Sequence, residues 1–246
     1  MSMDLESALR TIEEAFGDRL KRGAVQGRSH DGTSVSVLPR SVEEVEFLAE
    51  VAERFSVPLV ALGAGTASGA REEEGSILIR FDLMRGLRIR GNDEMWVSAE
   101  AGASWLELED NLGTRGWGLA VYPTSAPRAT VGGWLAVGGS GVGSYQYGML
   151  SENVLSADVV LAEGCRTVSG EELGSVLESG SVGGIVVAAT LRTRRADHDS
   201  PFALAFRSSE NRTACGDRGS FPSPPPTRPR SLRIGALSLS PGSPKP

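Results

Sequence analysis

Lysine is almost absent from this 246-residue chain: Lys21 and Lys245 are the only two, and every other basic residue is an arginine. A phosphate-gripping P-loop or an interior Schiff-base centre needs a lysine, so both are excluded. Cysteine and histidine are equally scarce. Cys165 and Cys215 lie far apart with no CxxC spacing, and with only His30 and His198 beside them neither a structural zinc site nor a disulfide framework is expected. No Gly-x-Ser-x-Gly elbow occurs, which removes the usual anchor of hydrolase chemistry. No apolar run approaches the roughly 20 residues that span a bilayer. The N-terminus, Met-Ser-Met-Asp-Leu-Glu, carries acids where a signal peptide carries bases, so a soluble cytoplasmic chain with no membrane span is expected. The net charge is −6, without the basic stripe that neutralises phosphates, so nucleic acid is not an expected partner.

What is present begins with an amphipathic pattern. Leu5, Ala8, Leu9, Ile12, Ala15 and Phe16 recur at helical spacing over Asp4 to Phe16, and Gly17 is a natural stop. Ser34 to Leu38 reads as a short strand. Ser41 followed by Glu44 is a capping box for a helix whose buried stripe is Val45, Leu48, Ala49, Ala52 and Phe55. Strands are expected over Val57 to Leu62, Ser76 to Phe81, Met95 to Ala99, Val154 to Ala162 and Gly184 to Leu191. A second capping box, Ser104 with Glu107, opens a helix from Trp105 to Leu112, and another helix lies near Glu171 to Leu177. From about Ser208 the character changes: eight of the thirteen prolines fall after Phe221, and six bases stand against two acids. Such a segment buries too little apolar surface to offset chain entropy and is expected to be disordered.

Two glycine-rich runs carry the functional signal. The first, Gly63-Ala-Gly-Thr-Ala-Ser-Gly69, follows a strand, and Asp82 stands at the end of the next one, as in a dinucleotide-binding fold. That fold needs a helix of about a dozen residues between loop and strand. Only the Arg-Glu-Glu-Glu-rich stretch Ala70 to Gly75 intervenes, so the reading fails on length and a glycine nest for a pyrophosphate remains. The second run, from Tyr122 to Gly148, holds seven glycines between Gly132 and Gly148, interleaved with Thr130, Ser140, Ser144, Tyr145 and Tyr147. Glycine inside regular elements costs about 0.5 to 1 kcal/mol relative to alanine, and close backbone contact with a large, planar, phosphate-bearing ligand would offset that cost. Val131, Trp134, Leu135 and Val137 argue against a solvated linker.

These residues resemble the FAD-binding domain shared by vanillyl-alcohol oxidase, p-cresol methylhydroxylase and the D-lactate and glycolate oxidases. The likeness runs in order over roughly residues 28 to 195, through Ser29-His-Asp31, Leu38-Pro-Arg-Ser-Val-Glu-Glu-Val45, Leu62-Gly-Ala-Gly-Thr-Ala-Ser68, Ala101-Gly102 with Trp105, Thr130-Val-Gly-Gly133, Gly139 to Gly148, and Gly180-Ser-Val-Gly-Gly-Ile-Val186. The resemblance implies an α+β fold of two lobes, a small α/β lobe and a larger α+β lobe. It places an N-terminal helix and lead-in over 1–30, the FAD-binding domain over 31–195, the start of a missing cap domain over 196–207 and the tail over 208–246. It assigns cofactor binding to Gly63, Ala64, Gly65, Thr66, Ala67, Ser68, Pro123, Thr124, Ser125, Thr130, Gly132, Gly133, Ser140, Gly143, Ser144, Tyr147, Ile185 and Val186. Ala64 replaces a glycine common in the family, which a negative φ tolerates. Neither histidine falls where the family links its flavin covalently, so non-covalent FAD is expected.

The implied activity is oxidation of a small 2-hydroxy acid such as glycolate or D-lactate, with a cap absent from this chain or supplied by a partner subunit. No metal is implied. The alternative is a flavin-binding module without turnover, such as the truncated product of a frameshift near Arg207. No residue presents itself as a catalytic base; Asp82, Asp158 and Glu163 read as solvated strand-end acids.

Overall fold

Apolar stripes at helical spacing decide how the first lobe is built. The computed structural model describes residues 3–23, 35–65, 75–91, 94–178 and 184–196. Helix α1 (Met3–Phe16) buries Leu5, Ala8, Leu9, Ile12 and Phe16, while Ala15 stays exposed. Helix α2 (Val42–Arg54) buries Val45, Leu48, Val51 and Ala52, with Ala49 and Phe55 half-buried at its margin. Its N-terminus corrects the expected capping box. The Ser41 hydroxyl accepts the Glu44 N–H at 3.4 Å, but the Glu44 carboxylate accepts from the Arg40 N–H at 2.7 Å and from the Arg19 guanidinium at 2.5 and 2.9 Å. A nearby guanidinium is a stronger partner for a carboxylate than a neutral amide. The Arg19 hydrogen bond, with the Arg40 N–H, holds the Glu44 carboxyl below its ordinary range against the opposing effect of burial.

The first sheet has the order β1-β2-β4-β3, with β1 (Leu20–Arg22), β2 (Val35–Val37), β3 (Leu59–Leu62) and β4 (Ile77–Arg80). Strand β4 runs parallel to both neighbours, and β1 is antiparallel to β2. Side chains alternate between faces, so Val35, Val37, Ile77 and Ile79 pack on α1 and α2 while Leu78 packs with Leu62 and Val60 on the other side. Cover on both faces explains the unbroken apolar run of β4. Parallel pairing of β3 with β4 requires the chain to cross over between them; residues 66–74 of that connection lie outside the described residues.

The second sheet is antiparallel, in the order β5-β6-β10-β8-β9. Its strands are β5 (Leu87–Arg90), β6 (Trp96–Glu100), β8 (Val154–Leu161), β9 (Gly164–Ser169) and β10 (Ile185–Arg195); β7 (Trp117–Leu119) also pairs with β10. The last of the described strands therefore lies at the centre. Against this sheet pack α3 (Trp105–Gly113), α4 (Val131–Val137), α6 (Leu150–Asn153) and α7 (Gly170–Glu178), around Trp105, Leu108, Leu112, Leu135, Val159 and Leu191. Ser104 and Glu107 form the expected reciprocal cap on α3. Glu46 on α2 ties the two lobes, accepting the Cys165 N–H of β9 at 2.7 Å. Asp158 lies within β8 rather than at its end, and Thr167 of the paired strand donates to it at 2.6 Å.

The described residues up to Arg194 form one compact unit, and beyond it residues 195 and 196 are described. His30, His198, Cys215, the 202–206 stretch and the proline-rich tail lie outside the described residues. Among the described residues no helix is long and apolar enough to cross a membrane.

The Arg19–Glu44 pair yields a prediction. Glu44→Ala takes the carboxylate acceptor from the Arg40 N–H and from Arg19, which keeps only the Leu38 carbonyl at 3.2 Å, and is expected to cost about 1 to 2 kcal/mol at neutral pH. Because the folded carboxyl titrates below its ordinary value, its contribution is present above that value and is lost as the pH falls through the folded one. Thermal melts of the parent and variant are therefore expected to converge on acidification.

Candidate functional site

Two glycine runs far apart in sequence meet at one point. Gly63 follows β3, and Gly133 lies in the first turn of α4. A methyl group on Gly63 would stand 2.7 Å from Thr130 Oγ1 and 3.0 Å from Gly133 Cα; one on Gly133 would stand 2.9 Å from the same hydroxyl and 3.3 Å from Gly63 Cα. Only residues without side chains bring these backbones so close. Thr130 is the junction. Its hydroxyl accepts the Gly133 N–H at 3.3 Å as the N-cap of α4, and its carbonyl accepts the Trp105 indole N–H and the Trp134 N–H, both at 3.1 Å. The two indoles meet edge to face with ring centroids 4.8 Å apart.

Helix α4 stands where the sequence reads as a glycine-rich run. Glycines at 132 and 133 cost about 1 kcal/mol each in helix propensity. The Thr130 cap and the burial of Val131, Trp134 and Leu135 offset this. Gly132 gives its N–H to the Ala101 carbonyl at 2.9 Å, and Ala101 gives its own to the Val187 carbonyl at 2.8 Å, which links the start of β10 to the junction. Val186 is buried in the core of the second lobe, and Ile185 packs toward that of the first.

The amides differ in what they can offer an anion. Those of Val131, Gly132 and Gly133 are spent on the Ala103 carbonyl, the Ala101 carbonyl and the Thr130 hydroxyl. Among the described residues nothing accepts the N–H of Ala64 or Gly65. Gly65 has φ +66°, whereas Ala64 stays out of the left-handed region, as its methyl requires. Thr66, Ala67 and Ser68 lie outside the described residues.

The rest of the second run lies on the segment after β7. Tyr122 and Val142 exchange two backbone hydrogen bonds, at 3.1 and 2.8 Å. Gly141 and Gly143 press bare Cα atoms against the carbonyls of Tyr122 and Ala120, where a side chain would collide. Pro123 is buried, Thr124 is exposed, and the Ser125 carbonyl accepts the Arg128 and Ala129 N–H groups in the turn leading to Thr130. Ser144 opens the single turn α5 (Ser144–Tyr147), and its hydroxyl accepts the Gly141 N–H at 2.9 Å. Ser140 is exposed; the Tyr147 ring lies 5.5 Å from the Arg194 guanidinium carbon.

Sequence reasoning missed Glu109 and Arg194, which gather with Tyr122 at the start of this run. Burial pushes the Glu109 carboxyl up, opposed by the Leu119 N–H at 2.8 Å and the Arg194 charge. Burial and the Glu109 charge push the Tyr122 phenol up. A signal for Glu109 existed: it follows Trp105 by four residues on the stripe that includes Leu108 and Leu112. The three strand acids stand elsewhere: Asp82 pairs with Arg80 at 3.0 Å, Glu163 occupies the exposed β8–β9 turn, and Asp158 is held by Thr167.

A large phosphate-bearing ligand fits such a surface, where backbones are bare and amides are open. Residues 33–169 match the model of a protein family described as FAD binding domain. Among relatives, the chain is 29% identical over 222 residues to the mitochondrial D-lactate dehydrogenase [cytochrome] of Arabidopsis thaliana, covering 82% of this chain and 39% of that protein. It is 31% identical over 174 residues to a probable mitochondrial D-lactate dehydrogenase of Danio rerio, covering 64% and 34%. A solved alkyldihydroxyacetonephosphate synthase superposes with a TM-score of 0.68 at 25% identity, covering 78% of this chain and 44% of that one. The chain belongs to the FAD-binding domain family, and FAD is the cofactor. It spans well under half the length of these relatives.

Gly63→Ala is expected to force Gly133 and Thr130 away by a few tenths of an ångström and weaken FAD binding about tenfold or more, since small misplacements cost heavily in a preorganised site. Titration by flavin fluorescence checks this. Thr130→Val removes the cap and is expected to cost about 1 kcal/mol of stability, read from denaturant unfolding.

Proposed function

We propose that this chain is the flavin-binding portion of an oxidoreductase that holds FAD non-covalently and oxidises a small 2-hydroxy acid of the D-lactate or glycolate type. The observation that carries the reading is the meeting of Gly63 with Gly133 at the Thr130 hydroxyl, which joins the two glycine runs into one surface. In this reading the Ala64 and Gly65 amides take the pyrophosphate, and the run from Thr130 to Tyr147 lies along the ring system. The substrate class rests on relatives named as D-lactate dehydrogenases and as a glycolate oxidase subunit. The flavin supplies the acceptor for the electron pair; the chain's own residues bind and orient it. A second reading, a flavin-binding module without turnover, is the alternative that the same experiment separates from the first.

The purified 246-residue chain is expected to be yellow, or to become so with added FAD, and to release the flavin on denaturation without a covalent remnant. A colourless protein that takes up no FAD overturns both readings. Bleaching of bound flavin by D-lactate or glycolate supports the first, and flavin that binds but does not bleach supports the second.

A further inference from the structure

Leu119, at the end of β7, has both peptide groups taken by side chains of opposite charge. Its N–H donates to Glu109 Oε2 at 2.8 Å, and its carbonyl accepts from Arg194 Nε at 3.2 Å. A strand residue usually spends these groups on a neighbouring strand. Here a carboxylate from α3 and a guanidinium from β10 hold one residue's backbone from two sides, with charge-assisted bonds that are stronger than amide pairs. Leu119 itself is 1% exposed, so water cannot replace either partner readily.

The segment just beyond Leu119 gives the clamp its reach. Ala120 and Tyr122 supply the carbonyls on which Gly143 and Gly141 rest, and Tyr122 carries the two-bond bridge to Val142. The guanidinium that holds Leu119 also faces the Tyr147 ring, at 5.5 Å. Arg194 thus touches both the shelf and the run lying on it. Glu109 also lies against Gly118, where an added Cβ would stand 3.0 Å from Oε1, so the carboxylate follows the strand over two residues.

We infer that Glu109 and Arg194 are positioning residues of the flavin site: gripping Leu119 from both sides, they set the height of residues 119–122 and hence of the 138–148 run. The inference rests on the proposed function, in which this run meets FAD. Neither residue is placed in contact with the cofactor.

Two measurements on the full chain test it: FAD titration by fluorescence, and amide exchange at Val142 in FAD-free protein, with Leu48 and Ile79 of the first lobe as internal controls. Arg194→Met and Glu109→Ala are each expected to speed exchange at Val142 about tenfold while the controls hold, and to weaken FAD binding about tenfold. Glu109→Gln keeps an acceptor for the Leu119 N–H and is expected to stay near the parent. Arg194→Lys keeps a donor without the plane that faces Tyr147, and is expected to weaken FAD binding about threefold. It also serves as the arginine test if the methionine variant does not fold. Unchanged Val142 exchange, equal loss of protection at the controls, or an FAD affinity within about twofold of the parent in Arg194→Met, or unchanged in Arg194→Lys, overturns the inference. A parent chain that takes up no FAD overturns the flavin reading instead, and the exchange data still decide whether the clamp exists.

Discussion

The architecture depends on how closely two backbones can approach at Thr130. The hydroxyl of this one residue lies between Gly63 and Gly133, caps α4, and sits on a peptide whose carbonyl is held by the Trp105 indole. Elements of both lobes converge there: β3 from the first, α3 and α4 from the second. A side chain at either glycine would open the gap, and an apolar residue at 130 would remove the acceptor that caps the helix. The surface proposed for the cofactor is therefore a by-product of packing as much as of ligand chemistry.

Polar satisfaction explains which end of the site can take charge. Helix α4 looks at first like a source of free amides, yet its first three are spent on Ala103, Ala101 and Thr130. Among the described residues, those of Ala64 and Gly65 remain. In the proposed reading, negative charge goes to the Ala64 and Gly65 amides, while the second run offers flat backbone and aromatic edges. The division follows from where the hydrogen bonds are already made.

Much of this was legible in the sequence. The stripes of α1 and α2, the Ser104–Glu107 cap and the β3–β4 order follow from periodicity and capping chemistry, and both glycine runs announced themselves by their cost. What escaped did so for physical reasons. Strands β1, β5 and β9 mix charged or polar residues into short runs with one or two apolar side chains each, and β7 is three residues long, so none shows the apolar run that marked β3 and β4. Helix α4 contradicts its own propensity and exists because tertiary packing overrides it. The Glu44 carboxylate found Arg19, 25 residues away, which no local capping rule anticipates. Arg194 was invisible because its partners, Leu119 and Tyr147, lie far upstream in the chain. Glu109 was the exception: a carboxylate on an apolar stripe is a readable anomaly.

The central place of β10 in the second sheet has a consequence for the order in which the protein can be made. Strands β6 and β8 emerge from the ribosome long before the strand that joins them, and until residues 185 to 195 arrive each presents an open edge. Ala101 meanwhile lacks the Val187 carbonyl that anchors it beneath Gly132. The pairing of this sheet therefore cannot be complete before β10 has been made, and nascent chains that stop short of it leave two unpaired edges for chaperones or proteases to find.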